Sequence, residues 1–327
     1  MTSLTSLGMP AVPPPTPHPP WKQAWDAALY GPNGFFRRES PVAHFRTSVH
    51  ASTLFAEALV RLTREAGLDT VVDIGAGRGE LLGQIRRLDP GLDLLGVEVA
   101  PRPQGLDPAV AWTTALPEAV EGLIVANEWL DNIPCHVAEV DGNGTLRMVH
   151  VDPGTGEEAL GSALTHASVP TTLRTWVERW WPVDAAAPGS RVEIGRSRDT
   201  AWADVVGRLT RGMAVAIDYG HTLADRPAYG SLRSYLGGRE VEVRPDGSCD
   251  VTASVAVDAV ADRVGGRLCT QREALHDLGI SGQRPSLDLA RSDPATYLRR
   301  LASATEATEL TASAGLGDFY WVISTQG

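Results

Sequence analysis

Apolar residues recur along this chain in two periods. Val71, Val72 and Ile74 form a short β-branched run suited to a buried strand, and Leu81, Leu82, Ile85 and Leu88 then repeat at helical spacing. Between them Gly75, Gly77 and Gly79 punctuate a tight turn, where glycine permits positive φ and close backbone approach. Residues 94–98 predict a second strand ending in Glu98, 109–112 a third, 123–126 a fourth, 213–220 a fifth, and 267–271 and 319–324 the last two. Leu54, Phe55, Ala58, Leu59 and Leu62 predict one helix over 50–66 closed by Gly67, and a further helix is predicted over 200–209. Asp250, Thr252 and Ser254 read as the cap of another helix running to Ala261. Seven strands with helices on both faces make an α/β chain with a Rossmann-like sheet.

The pattern is interrupted in three places. Residues 1–20 hold seven prolines and predict an extended, disordered tail, and 21–67 form an N-terminal helical segment in which Phe36, Phe45, Thr47, His44 and His50 are candidate lid residues. The remainder, 68–327, is one domain, with an insertion at about 137–190 that opens on an Asp141-Gly142-Asn143-Gly144 hairpin signal. Residues 221–250, rich in glycine and proline, predict a loop over the substrate.

The glycine loop is G-x-G-x-G, which suits the amino-acid end of S-adenosylmethionine (SAM). A nicotinamide dinucleotide is the competing ligand within the same fold, and a simple sharp turn the bland alternative. The helix N-terminus after Gly79 favours a carboxylate, Asp73 stands where an ammonium group is accepted, and Glu98 ends the second strand, where ribose hydroxyls are held. Asp73, Gly75, Gly77, Gly79, Glu98 and Asn127 are therefore the candidate cofactor residues. The run Asn127-Glu128-Trp129-Leu130-Asp131-Asn132-Ile133-Pro134 closes the fourth strand at the ligand-binding edge of such a sheet. If a helical turn begins there, Glu128 and Asp131 face one pocket, and paired acids orient a guanidinium and make one nitrogen a better nucleophile. Capping by Asn127 and Asp131 is the alternative.

Charge narrows the partners. Lys and Arg number 29 against 40 for Asp and Glu, a net charge of −11, which excludes a broad nucleic-acid surface. Cys135, Cys249 and Cys269 have no metal-site or disulfide spacing, and no apolar run reaches membrane-spanning length. A cytoplasmic enzyme without a metal is expected.

Taken in order, the motifs resemble the MidA family of SAM-dependent methyltransferases, related to a mitochondrial complex I assembly factor. The resemblance rests on residues 28–32 with Gly34-Phe35-Phe36, on Phe45-Arg46-Thr47-Ser48, on 73–79 and 126–134, on Ile217-Asp218-Tyr219-Gly220, and on Asp250-Val251-Thr252-Ala253. It implies a class I methyltransferase fold with SAM at the glycine loop, and for the mitochondrial branch an activity toward arginine in a protein partner. His44, Asp73 and His50 depart from the family's acids. Glu128 and Asp131 are the candidate catalytic residues. The competing functions are a small-molecule methyltransferase and a non-catalytic SAM-binding assembly factor.

Overall fold

The computed structural model describes residues 18–38, 48–183 and 187–327. The proline-rich tail up to residue 17, the lid candidates His44, Phe45 and Thr47, and the side chain of His50 lie outside the described residues. Residues 18–20 lie against a neighbouring strand, where Pro20 bridges His150 and the Val151 N–H donates to Pro19 O.

Seven strands form the central sheet: β1 (Thr70–Ile74), β2 (Asp93–Val97), β3 (Val110–Thr113), β4 (Val120–Asn127), β5 (Leu209–Asp218), β6 (Arg267–Thr270) and β7 (Tyr320–Gln326). Their spatial order is β6-β7-β5-β4-β1-β2-β3. All neighbours are parallel except β7, which runs antiparallel to both β5 and β6. The order reverses beside β1 and β4, so the carboxyl ends of these two strands open a crevice. This is the class I methyltransferase fold.

The two-residue period of each strand sorts the core into two layers. Val71, Leu123, Val125, Val215, Ile217 and Trp321 face one layer, where Leu54, Phe55 and Leu59 of helix Thr53–Glu65 and Leu81, Leu82 and Ile85 of helix Glu80–Leu88 pack. Val72, Ile124, Ala126, Ala214, Ala216 and Val322 face the other, against Trp202 and Val205 of helix Arg196–Val206 and Val260 of helix Val257–Val264. Both faces of the sheet are covered, which explains the near-continuous apolar strands.

Four local expectations change. The helix expected over 50–66 is broken, because Ser52 is extended and its Oγ accepts the Leu54 N–H at 3.0 Å; Ser48–Ala51 forms a separate turn. Residues 250–254 cap no helix. Asp250–Thr252 is a strand paired with Arg233–Leu236, and the helix starts at Val257 with its Ala256 cap position making no side-chain bond. The stretch 221–250 is not one irregular loop, since Arg233–Leu236 and Arg239–Val241 pair within it. The fourth difference is a four-stranded antiparallel sheet, in which Glu158–Ala163 and Arg191–Ile194 join the expected hairpin. Helix Trp21–Tyr30 lies over this region, burying Trp21, Trp25 and Leu29 with Val137, Val149 and Val251. Among the described residues no helix is long and apolar enough to cross a membrane.

Candidate active site

At the carboxyl edge of β1 and β2 the glycine loop folds over the second strand: the N–H groups of Gly75 and Ala76 both donate to Val97 O, at 2.9 and 3.3 Å. Gly75 has φ +72° and a Cβ there would lie 2.7 Å from Trp129 Cδ1, so only glycine fits beneath this indole. Glu98 closes the loop from the other side. Its Oε2 accepts the Gly77 N–H at 3.0 Å, and Oε1 accepts those of Val99 and Ala100 at 2.7 and 3.2 Å. Burial holds the Glu98 pKa up, with these backbone bonds opposing it.

A cleft of about 210 Å³ opens beside the loop, lined by Ile74, Gly75, Val97, Glu98, Val99, Thr114, Leu116, Glu128, Trp129 and Asn132, with Tyr30 and Phe36 from the N-terminal segment. Gly75, Glu98 and Glu128 thus line the same cleft. Asp73, Gly77, Gly79, Asn127 and Asp131 are not among its lining residues. Asp73 is buried at the end of β1, and that burial, with the charges of Glu98 and Glu80, raises its pKa well above the carboxylate range.

The acids at 128 and 131 are not on a helix. Strand β4 continues to Asn127, Glu128 adopts φ +51°, and its N–H donates to Ile217 O of β5 at 2.8 Å. The following residues turn away, so the two carboxylates do not face one pocket. Glu128 lies on the cleft wall, where burial and then the Asp131 charge push its pKa up to about 8, against donation from the Asn127 side chain and the Ser48 backbone. Asp131 is 5% exposed, and its Oδ2 accepts from Tyr219 Oη and Thr252 Oγ1, each at 2.6 Å.

Three residues without an assigned role in the sequence reading build this turn. Asp218, at the end of β5, accepts the Leu130 and Asp131 N–H groups on Oδ2 at 3.0 and 3.1 Å. Arg198, 1% exposed, donates to Ile133 O, Ser254 O and Asp131 O at 3.1, 2.9 and 2.6 Å. Asp250 accepts from Asn132 Nδ2 at 2.9 Å, and burial with the Asp131 charge raises its pKa well above normal. The Ile-Asp-Tyr-Gly and Asp-Val-Thr runs were the available signals for Asp218 and Asp250. Arg198 lay in an Arg-Ser-Arg-Asp stretch that reads as a solvated helix end.

With this geometry the chain is a class I methyltransferase by fold. Its residues 84–271, more than half of the 327, match the model of a family described as "Putative S-adenosyl-L-methionine-dependent methyltransferase". The chain belongs to that family, in agreement with the MidA-type motifs, and its cofactor is SAM. Two solved structures from Burkholderia thailandensis share the fold. One, described as a "likely methyl transferase" bound to S-adenosyl-homocysteine, has 24% identity and a TM-score of 0.74, covering 94% of this chain and 88% of that one. The other, a native structure described as an uncharacterized protein of the same superfamily, has the same identity and TM-score with 94% and 87% covered. No curated protein matches.

The residues fit this cofactor. A carboxylate offers about four lone-pair sites, and three backbone bonds leave Glu98 able to accept from a ribose hydroxyl. Asn127 Oδ1 is buried at the head of the turn without a partner among the described residues, although Asn127 does not line the cleft. Val97, Val99 and Leu116 offer an apolar wall for a heterocycle. Gly75→Ala is expected to weaken SAM binding at least tenfold by calorimetry, because the added methyl displaces Trp129 and strains a positive φ by about 1 kcal/mol. Unchanged affinity would place the cofactor elsewhere.

Proposed function

We propose that this methyltransferase modifies a guanidinium nitrogen of arginine in a protein partner. The observation that carries the reading is the Glu128 carboxyl on the cleft wall, held at a pKa of about 8 beside further buried acids. SAM, when bound, supplies an electrophilic methyl on a cationic sulfur. Glu128 binds the guanidinium N–H groups and fixes one nitrogen toward that methyl, with the Ser48 backbone and the Asn127 amide orienting the carboxylate. After transfer the nitrogen's proton passes to Glu128 Oε, whose pKa near the working pH suits a general base. An arginine side chain on a protein needs an open approach. None of the cleft-lining residues comes from 221–250, so the segment expected to lie over the substrate contributes no wall.

A carboxyl that must be ionised to act, with its pKa raised to about 8, makes kcat/KM rise with pH through a midpoint near 8 with unit slope. Initial rates across that range check this, and a pH-independent rate would contradict it. The function is tested by incubating the protein with methyl-labelled SAM and extract of its own cells. Label recovered as methylarginine from protein hydrolysate supports the reading. Label confined to small molecules or nucleic acid overturns it.

A further inference from the structure

The proposed reaction needs Glu128 held in one place, yet the residue sits in a turn with a positive φ that a non-glycine side chain rarely adopts. Such a conformation persists only when its surroundings over-determine it. The restraints come from the end of β5. Ile217 O accepts the Glu128 N–H at 2.8 Å, and the next residue, Asp218, accepts the N–H groups of Leu130 and Asp131 on a single oxygen, Oδ2. Its other oxygen, Oδ1, is buried without a partner among the described residues, in a residue only 2% exposed. A buried carboxylate oxygen left unpaired is destabilising, so this side chain is not explained by stability alone.

We infer that Asp218 is a positioning residue for methyl transfer: its Oδ2 locks the turn at 130–131 and thereby fixes the backbone of Glu128 and the direction of its carboxylate into the cleft. The role belongs to the acceptor oxygen and not to the charge. An asparagine carbonyl accepts the same two N–H groups, whereas leucine, of similar size, accepts neither. Arg198 and Thr252 hold Asp131 from other sides, through its carbonyl and its Oδ2, but neither bonds the two N–H groups. This inference rests on the proposed role of Glu128, and its test separates the two.

Hydrogen exchange of peptides covering 127–134 is compared in the full-length protein and in Asp218→Asn and Asp218→Leu, alongside methyl transfer from labelled SAM to protamine as an arginine-rich acceptor. The expected result is at least tenfold faster exchange confined to 127–134 in Asp218→Leu, with transfer reduced at least thirtyfold. Asp218→Asn keeps both within about threefold of the parent. Equal exchange in Asp218→Leu and the parent overturns the inference whatever the acceptor proves to be. If Asp218→Leu does not fold, Asp218→Asn decides: loss of local protection or of transfer in that variant assigns the role to the charge and overturns the inference. Absence of methylarginine with the parent protein, while the exchange pattern is as expected, counts against the arginine reading alone and leaves the locking of the turn supported.

Discussion

Replacing Glu128 with glutamine is expected to lower methyl transfer at least about 100-fold and, at the same time, to raise the melting temperature by several degrees. The first effect follows from removing the base proposed above, a contribution typically of 10²–10⁴. The second follows from linkage. A carboxyl whose pKa is raised on folding, here from 4.5 to about 8, favours the folded state fully at low pH and loses that advantage as pH rises toward 8. At pH 7 the folded protein therefore bears a penalty on the order of 3 kcal/mol relative to a neutral isostere. Glutamine keeps the shape and removes the ionisation, and a gain of this size in a domain of this length corresponds to roughly 3–10 °C. Calorimetric melting at pH 7 and at pH 4 checks the sign, because the difference between parent and variant should shrink at the lower pH. A variant that is less active and also less stable would mean that Glu128 serves the fold.

The second large effect is expected at Arg198. Its guanidinium donates to three backbone carbonyls, those of Asp131, Ile133 and Ser254, and lies 5.7 Å from the Trp25 ring centroid. Arg198→Met preserves much of the side-chain length but leaves three carbonyl acceptors, one buried and two partly buried, short of a donor and removes a cation that lowers the pKa values of Asp131 and Asp218. A loss of about 3–5 kcal/mol is expected, the range for removing one member of a buried charged network. Denaturant titration at neutral pH checks it as a fall in midpoint at unchanged slope. Arg198→Lys should recover only part of the loss, since one ammonium cannot reproduce the planar fork that spans three carbonyls. Parent-like stability in Arg198→Met would show that the turn after β4 is held by its other contacts.

These two residues mark the boundary of what the sequence makes legible. Glu128 stands at the end of an apolar strand with the glycine loop on the neighbouring strand, and both signals are local: strand period, glycine spacing, an acid just after the apolar run. The strands and helices of the central sheet are read for the same reason, because Val71 and Val72 or Leu123 and Ile124 must alternate between two buried layers. Arg198 is invisible in this way. Its carbonyl partners lie 56 to 67 residues away in sequence, and nothing in its own segment distinguishes it from the solvated Arg196. The strand Glu158–Ala163 is missed because Glu-Ala-Leu-Gly-Ser-Ala lacks β-branched residues, and its place is set by pairing with Leu146–Val151. The expected helical turn at Glu128–Asp131 fails through tertiary override, since the backbone there is pinned by Ile217 and Asp218 from a strand nearly ninety residues on.

The helix misplaced at 250–254 has a similar cause. Asp250 and Thr252 have the composition of a cap, but their side chains are engaged by Asn132 and Asp131 across the site, which leaves them no part in the helix that follows. Cap-like residues in a chain with several buried acids carry this ambiguity until the partners are seen.

The central claim is that Glu128 acts in transfer and not in holding the cofactor. Its most direct test measures SAM affinity and methyl transfer together, in the parent protein and in Glu128→Gln, with cell extract as acceptor and hydrolysate analysis for methylarginine. SAM affinities within about tenfold of each other are expected, with methylarginine formed only by the parent. Methylarginine formed at the same rate by Glu128→Gln would contradict it.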